Sequence, residues 1–84
     1  MRRKLEARGY EVVRYCYPPG TRFDVHTHSR KKIDAVLAGR FRIAMDDESV
    51  VLEAGDCVEV PAGAEHSAEV VGNETVVSLD AVKR

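Results

Sequence analysis

No apolar run in this 84-residue chain approaches the roughly 20 residues that a membrane-spanning helix needs, so insertion into a bilayer is not expected. An excess of either charge is also missing: 13 basic against 14 acidic residues leave a formal net charge of −1. A dedicated nucleic-acid binder carries a basic excess, and this chain has none. Cysteine is scarce. Cys16 and Cys57 stand far apart, in neither CxxC nor CxxxxC spacing, which gives no support to a zinc ribbon or a thioredoxin-like motif. Both lie in apolar-rich stretches, where a reduced, partly buried thiol is expected. The segment Met1 to Gly9 holds Arg2, Arg3, Lys4 and Arg8 with no apolar stretch behind them. That is not the pattern of a secretory signal, and a cytoplasmic location is the expectation. Repeats, low-complexity tracts and linkers are absent, so residues 1–84 read as one domain.

What is present is short β-type sequence. The runs are Tyr10 to Tyr17, Arg22 to His28, Lys32 to Leu37, Arg40 to Met45, Ser49 to Leu52, Cys57 to Val60, His66 to Val71 and Thr75 to Val82. Between them stand Pro18-Pro19-Gly20, Ala38-Gly39, Asp46-Asp47, Ala54-Gly55-Asp56, Pro61-Ala62-Gly63 and Gly72-Asn73. Turn signals about every 8–12 residues indicate an all-β sandwich or barrel. Before Tyr10 the one strong apolar residue is Leu5, so any helix there is short and docked. Phe23, Val36, Phe41, Ile43, Val58 and Val60 are the expected barrel lining or core. Tyr10, Tyr15 and Tyr17 alternate with other residues and suit strand packing or a dimer surface. A domain of this size buries only about 60–65% of its unfolded surface, so support from a metal, a second copy or both is expected. The first and last strands are the expected dimer contributors.

The three histidines carry the chemistry. His26 and His28 are two apart in a β-type run, which directs both side chains to one face. His66 follows the Pro61-Ala62-Gly63 turn at the start of a later run. Neutral imidazole binds zinc, iron, nickel, copper and manganese to differing degrees. An H-x-H pair alone is also what a solvent-facing strand can carry.

The residues around the histidines are more specific. Pro18 to Gly39 reads PPGTRFDVHTHSRKKIDAVLAG and resembles the first cupin motif, G-x5-H-x-H-x3,4-E-x6-G, at every position except one. Gly55 to His66 reads GDCVEVPAGAEH and is similar to the second cupin motif, G-x5-P-x-G-x2-H-x3-N, from its Gly through its His. The resemblance implies a double-stranded β-helix, a jelly-roll barrel of about eight short strands, with at most a short N-terminal helix. It further implies a divalent transition metal in the barrel mouth, held by His26, His28 and His66. Gly39 suits a tight hairpin, and Gly55 a turn where a Cβ could clash.

The family's Asn position is Val70, and the fourth ligand, a Glu, is replaced by Lys32. A cation aimed at a divalent ion is repulsive unless neutralised. Three readings of Lys32 are open. Its ammonium reaches solvent or pairs with Asp34, two residues on. Alternatively it binds an anionic ligand beside the metal, with Arg30 and Lys31 adding to the positive field. The third reading is a barrel without metal that keeps only a ligand pocket. Asp34 offers an oxygen ligand if it faces inward, although pairing with Lys32 is the preferred expectation. Glu65 reads as a loop carboxylate, and Asp46, Asp47 and Glu48 as a solvated hairpin tip.

The functional expectation is therefore a metal-binding barrel that accepts a small, anionic molecule. As an enzyme it would be a three-histidine iron dioxygenase, or an isomerase whose metal polarises a carbonyl. The alternative is a non-catalytic binding or sensing module, since one scaffold hosts many activities. A homodimer is expected, and neither a nucleic-acid nor a membrane partner.

Overall fold

The computed structural model describes residues 2–84, and Met1, in the segment expected to hold at most a short helix, lies outside the described residues. A short helix, α1 (Arg2–Ala7), precedes eight strands. These are β1 (Tyr10–Tyr17), β2 (Arg22–His26), β3 (Lys32–Ala38), β4 (Arg40–Met45), β5 (Glu48–Leu52), β6 (Cys57–Val60), β7 (His66–Val71) and β8 (Val76–Lys83). The helix is not long and apolar enough to cross a membrane. The strands form two four-stranded antiparallel sheets, ordered β1-β8-β3-β6 and β2-β7-β4-β5. This is the expected jelly roll. The run expected to reach His28 leaves its sheet at His26, where pairing with β7 ends.

Local chemistry fixes the turns. Asp46 and Asp47 have φ of 54° and 62° and join β4 to β5, with Met45 opposite Glu48. A two-residue hairpin loop with both residues left-handed matches the strand twist, and Asp tolerates that conformation. Gly39 has φ +79°, and a Cβ there would sit 2.8 Å from the Thr75 carbonyl oxygen. Gly55 differs from expectation: nothing lies within 4 Å of its virtual Cβ, so its φ of +93° alone calls for glycine.

Strand alternation builds two apolar layers. Leu5 of α1 is buried with Tyr10, Val12, Ile33, Ala35, Leu79 and Ala81 on the outer face of the β1-β8-β3-β6 sheet. A helix of six residues cannot stand alone in water, so this contact holds it. Arg84 N–H donates to the Gly9 carbonyl at 3.0 Å, and Lys83 Nζ donates to the Arg8 carbonyl at 2.7 Å. Between the sheets lie Val36, Phe41, Ile43, Leu52, Val70 and Val76, with Tyr17, Val58 and Ala68 packed against them. Full burial of an aliphatic side chain contributes roughly 1.5–3 kcal/mol, so both layers matter in a domain this small.

This arrangement bears on several expectations. Tyr10 takes the strand-packing alternative, buried in the outer layer. Phe23 lines the barrel cavity as expected, although 37% exposed, and Val36, Phe41, Ile43 and Val60 are buried. Both cysteines are free and exposed. Cys16 and Cys57 fall on the outward-facing positions of β1 and β6, away from the patch that Leu5 covers. The last strand, β8, is flanked by β1 and β3 and lies inside its sheet. On β3, residues 32–36 are all buried: Ile33 and Ala35 face the outer layer, and Lys32, Asp34 and Val36 face the interior.

Candidate metal centre

The site begins with an irregularity in strand pairing. Arg22 opposes Glu69 and Phe23 opposes Ala68, then the register shifts and His26 opposes His66. A bulge sets an extra residue into one strand. Phe23 and His26, three apart, therefore both face the interior, while Val25 is turned out and 63% exposed. His28 lies just beyond β2, and its carbonyl accepts a hydrogen bond from Gly63 N–H at 2.9 Å. The loop after β2 is thereby tied to the Pro61–Gly63 turn that delivers His66.

The imidazole rings cluster. Ring centroids are 4.2 Å apart for His26 and His66, 4.9 Å for His26 and His28, and 5.1 Å for His28 and His66. One ring nitrogen of each lies within 4.8 Å of the other two. His26 Nδ1 is 2.6 Å from the Asp24 carbonyl oxygen, and His66 Nδ1 is 3.0 Å from that of Ala64. A carbonyl only accepts, so Nδ1 carries the proton in both rings and Nε2 keeps its lone pair. The Nε2 atoms of His28 and His66 are buried without a hydrogen-bond partner. Buried polar atoms almost always have one. Partnerless Nε2 atoms on His28 and His66, beside rings of His26 and His66 anchored through Nδ1 on carbonyls, make a donor set that a first-row divalent ion takes. The residues fit such an ion.

Electrostatics favour the neutral form of His28 and His66. Burial lowers the pKa of His28, and Lys32 and the other two imidazoles lower it further. His66 is lowered mainly by burial, against the opposing hydrogen bond to Ala64, with His26 and Lys32 adding to the depression.

A cavity of about 330 Å³ opens beside the histidines. Its apolar side is aromatic: the Tyr17 ring stacks on Tyr15 and Phe41 and meets the edge of Phe23. Burial, followed by the nearby charges of Asp80 and Asp34, pushes the Tyr17 hydroxyl up to about 12, so it stays a neutral donor.

The opposite sheet supplies a charged cluster. Lys32 Nζ lies 3.2 Å from Asp34 Oδ1 and 3.1 Å from Asp80 Oδ1, and its side chain is 8% exposed. The reading in which Lys32 reaches solvent is therefore corrected, and its pairing with Asp34 is present. The Asp80 contact is an ion pair off the hydrogen-bond direction, since that oxygen has no aligned donor. Asp34 and Asp80 are direct cross-strand partners on β3 and β8. Like charges in that position repel, and the ammonium between them offsets the repulsion. Burial alone would depress Lys32, but Asp34 and Asp80 hold it above its ordinary value. Asp34 is pushed up to about 7, by burial first and then by Asp80, against the pull of Lys32. Lys31 lies outside this cluster, paired with Glu59 at 3.0 Å, and Arg30 and Glu65 are exposed.

Asp80 and Tyr17 were not singled out by the sequence as part of this cavity. A signal existed for Asp80: in V-V-S-L-D-A-V it shares strand parity with Val76 and Ser78, so an acid stands at an interior position. Tyr17 offered only its parity with Tyr15.

No curated protein matches the chain. Solved structures do. A protein of unknown function from Streptococcus pyogenes superposes with a TM-score of 0.80 at 21% identity, over 90% of this chain and 65% of that one. A cupin-like protein from Thermotoga maritima gives a TM-score of 0.80 at 24% identity, covering 89% of this chain and 57% of that one. The DMSP lyase DddQ from Ruegeria pomeroyi gives 0.80 at 22% identity, covering 90% and 39%. The chain thus spans less than two thirds of each of these three proteins. At such identities the likeness concerns the fold. The cupin domain family matches residues 13–82, a stretch that runs from β1 through β8 and holds all three histidines. The chain belongs to the cupin family.

Proposed function

We propose that the chain binds one first-row transition metal through His26, His28 and His66 and takes a small oxygen-bearing molecule, anionic at its metal-facing end, into the barrel. The observation that carries this reading is the pair of buried, partnerless Nε2 atoms on His28 and His66, grouped with His26. The chemistry such an ion supplies is Lewis acidity toward an oxygen of the ligand. Three protein ligands leave coordination positions for that oxygen.

The chain's own residues do the rest. The Asp24 and Ala64 carbonyls aim the His26 and His66 rings, and the Tyr15, Tyr17, Phe23 and Phe41 side chains keep water from one side of the cavity. Lys32 is ion-paired with both Asp34 and Asp80, and an ammonium with three donors keeps at least one for a ligand oxygen. That, with the place of Lys32 and Asp34 on the cavity wall, supports both as ligand-contacting residues.

Cobalt(II) added to the metal-free, untagged chain tests the reading. Visible d–d absorption that saturates at one equivalent, and that is lost in the His28→Ala and His66→Ala variants, is expected. Saturation unchanged in both variants would refute it.

A homodimer is part of the same reading. Its support is the free edge of β1, where Val13 and Tyr15 are each 42% exposed. Light scattering should give twice the 9.3 kDa chain mass, and a monomer at high micromolar concentration would remove the dimer.

A further inference from the structure

The three histidines come from β2, the loop after it and β7, all belonging to one sheet. Lys32 and Asp34 of β3 and Asp80 of β8 belong to the other. Both groups line the same cavity, so a molecule held at the histidines has the carboxylates of the opposite sheet on its other side. We propose that Asp34 is the acid–base group of this cavity, accepting a proton from the small molecule held at the histidine centre and returning it. This rests on the metal-binding reading above.

Burial selects Asp34 over its cross-strand partner: both line the cavity, but the Asp34 side chain is 8% exposed and that of Asp80 24%. Lys32 on its own strand and Asp80 from β8 hold it, and Tyr15 and Tyr17 from β1 and the three histidines are the other titratable groups around the cavity. Lys32 is fixed as a cation between two acids, and Tyr17 stays protonated. The histidine nitrogens facing the centre are committed to it. Asp34 is the buried carboxyl, poised near neutrality by its burial and by Asp80, and a group near the working pH exchanges protons most effectively.

The step it serves balances without an added reagent. An O–H or activated C–H bond of the ligand breaks, its electron pair stays on the ligand, and the proton passes to a carboxylate oxygen of Asp34. Return of that proton to another ligand atom gives an isomer with no net oxidation. Proton transfer, rather than oxygen insertion, is the reaction class this wall serves.

Oxalate is a suitable probe, because it chelates the ion and brings negative charge beside Asp34, raising its proton affinity. Calorimetric titration of oxalate into the zinc-loaded chain at pH 7.5, in buffers of differing ionisation heat, reads the protons taken up. A fractional uptake of several tenths of a proton per oxalate is expected, falling to near zero in Asp34→Asn. Uptake that persists in Asp34→Asn overturns the proposal. Zinc or oxalate that does not bind the unaltered chain overturns the metal-binding reading, and this inference falls with it. Should Asp34→Asn lose zinc, carbon-13 titration of the aspartate carboxyls in the unaltered chain decides. A carboxyl titrating near neutrality that moves upward with oxalate supports the proposal, and all carboxyls titrating below about 5 overturn it.

Discussion

His26 and His66 are cross-strand partners at the end of β2 and the start of β7, with ring centroids 4.2 Å apart. The partnership depends on the register shift between Phe23 and His26. Without the added residue, the alternation that puts Phe23 inside would turn His26 outward. The bulge brings in the first imidazole, and the Gly63-to-His28 hydrogen bond brings up the second.

Single substitutions test the three proposed ligands one at a time. His26→Ala, His28→Ala and His66→Ala should each weaken zinc binding by more than the roughly 10–100-fold that an outer-shell change costs. Competition with a chromophoric chelator measures this. The fold should survive His26→Ala and His28→Ala, whose rings are only partly buried, so unchanged circular dichroism is expected for both.

The pH dependence follows from His28 and His66, whose pKa values are lowered below 6.5. A histidine depressed in the folded state contributes stability that is present above its unfolded pKa and lost as pH falls through the folded one. Metal-free protein should therefore lose stability on acidification below about 6.5. Proton NMR of the imidazoles should show both titrating below that value. Either one titrating above it contradicts the electrostatic account.

The fold and the histidine triad were legible because their signals are short-range. Glycine and proline mark the turns, and two motifs with set spacing carry His26, His28 and His66. What was not legible depends on contacts distant in the chain. Nothing near Phe23 announces the bulge, which appears only when β2 meets β7. Lys32 looked free to reach solvent because its second partner, Asp80, arrives from the last strand. The cysteines sit in apolar-rich runs, yet parity and the small footprint of α1 leave both exposed.

Lys32→Met removes the cation between Asp34 and Asp80. Breaking a buried charge cluster in this way costs roughly 3–5 kcal/mol. Asp34 has a folded pKa raised from 3.8 to about 7. Its stabilising contribution is thus present below its unfolded pKa and lost as pH rises through the folded one. Urea denaturation should show a larger deficit for Lys32→Met at pH 8 than at pH 5. Equal deficits would mean that the carboxylates do not oppose each other.

Lys32→Glu exchanges the cation for the carboxylate that the family's first motif carries at this position. Zinc affinity should rise by about tenfold or more, since attraction replaces repulsion and a further ligand becomes available. Stability should fall, because three carboxylates then share one interior wall. Chelator competition and urea denaturation on the same preparation read both effects. Affinity equal to that of the unaltered chain would place Lys32 outside the reach of the ion.

The proposal that His26, His28 and His66 form one metal centre has a direct test. Elemental analysis tests it most directly, applied to the untagged chain after zinc loading and exhaustive dialysis at pH 7.5, beside the triple His26→Ala/His28→Ala/His66→Ala variant. Close to one zinc per chain is expected in the first and less than about a tenth in the second, since three converging imidazoles retain zinc and their loss leaves no comparable cluster among the described residues. Zinc absent from both, or retained equally by both, would contradict it.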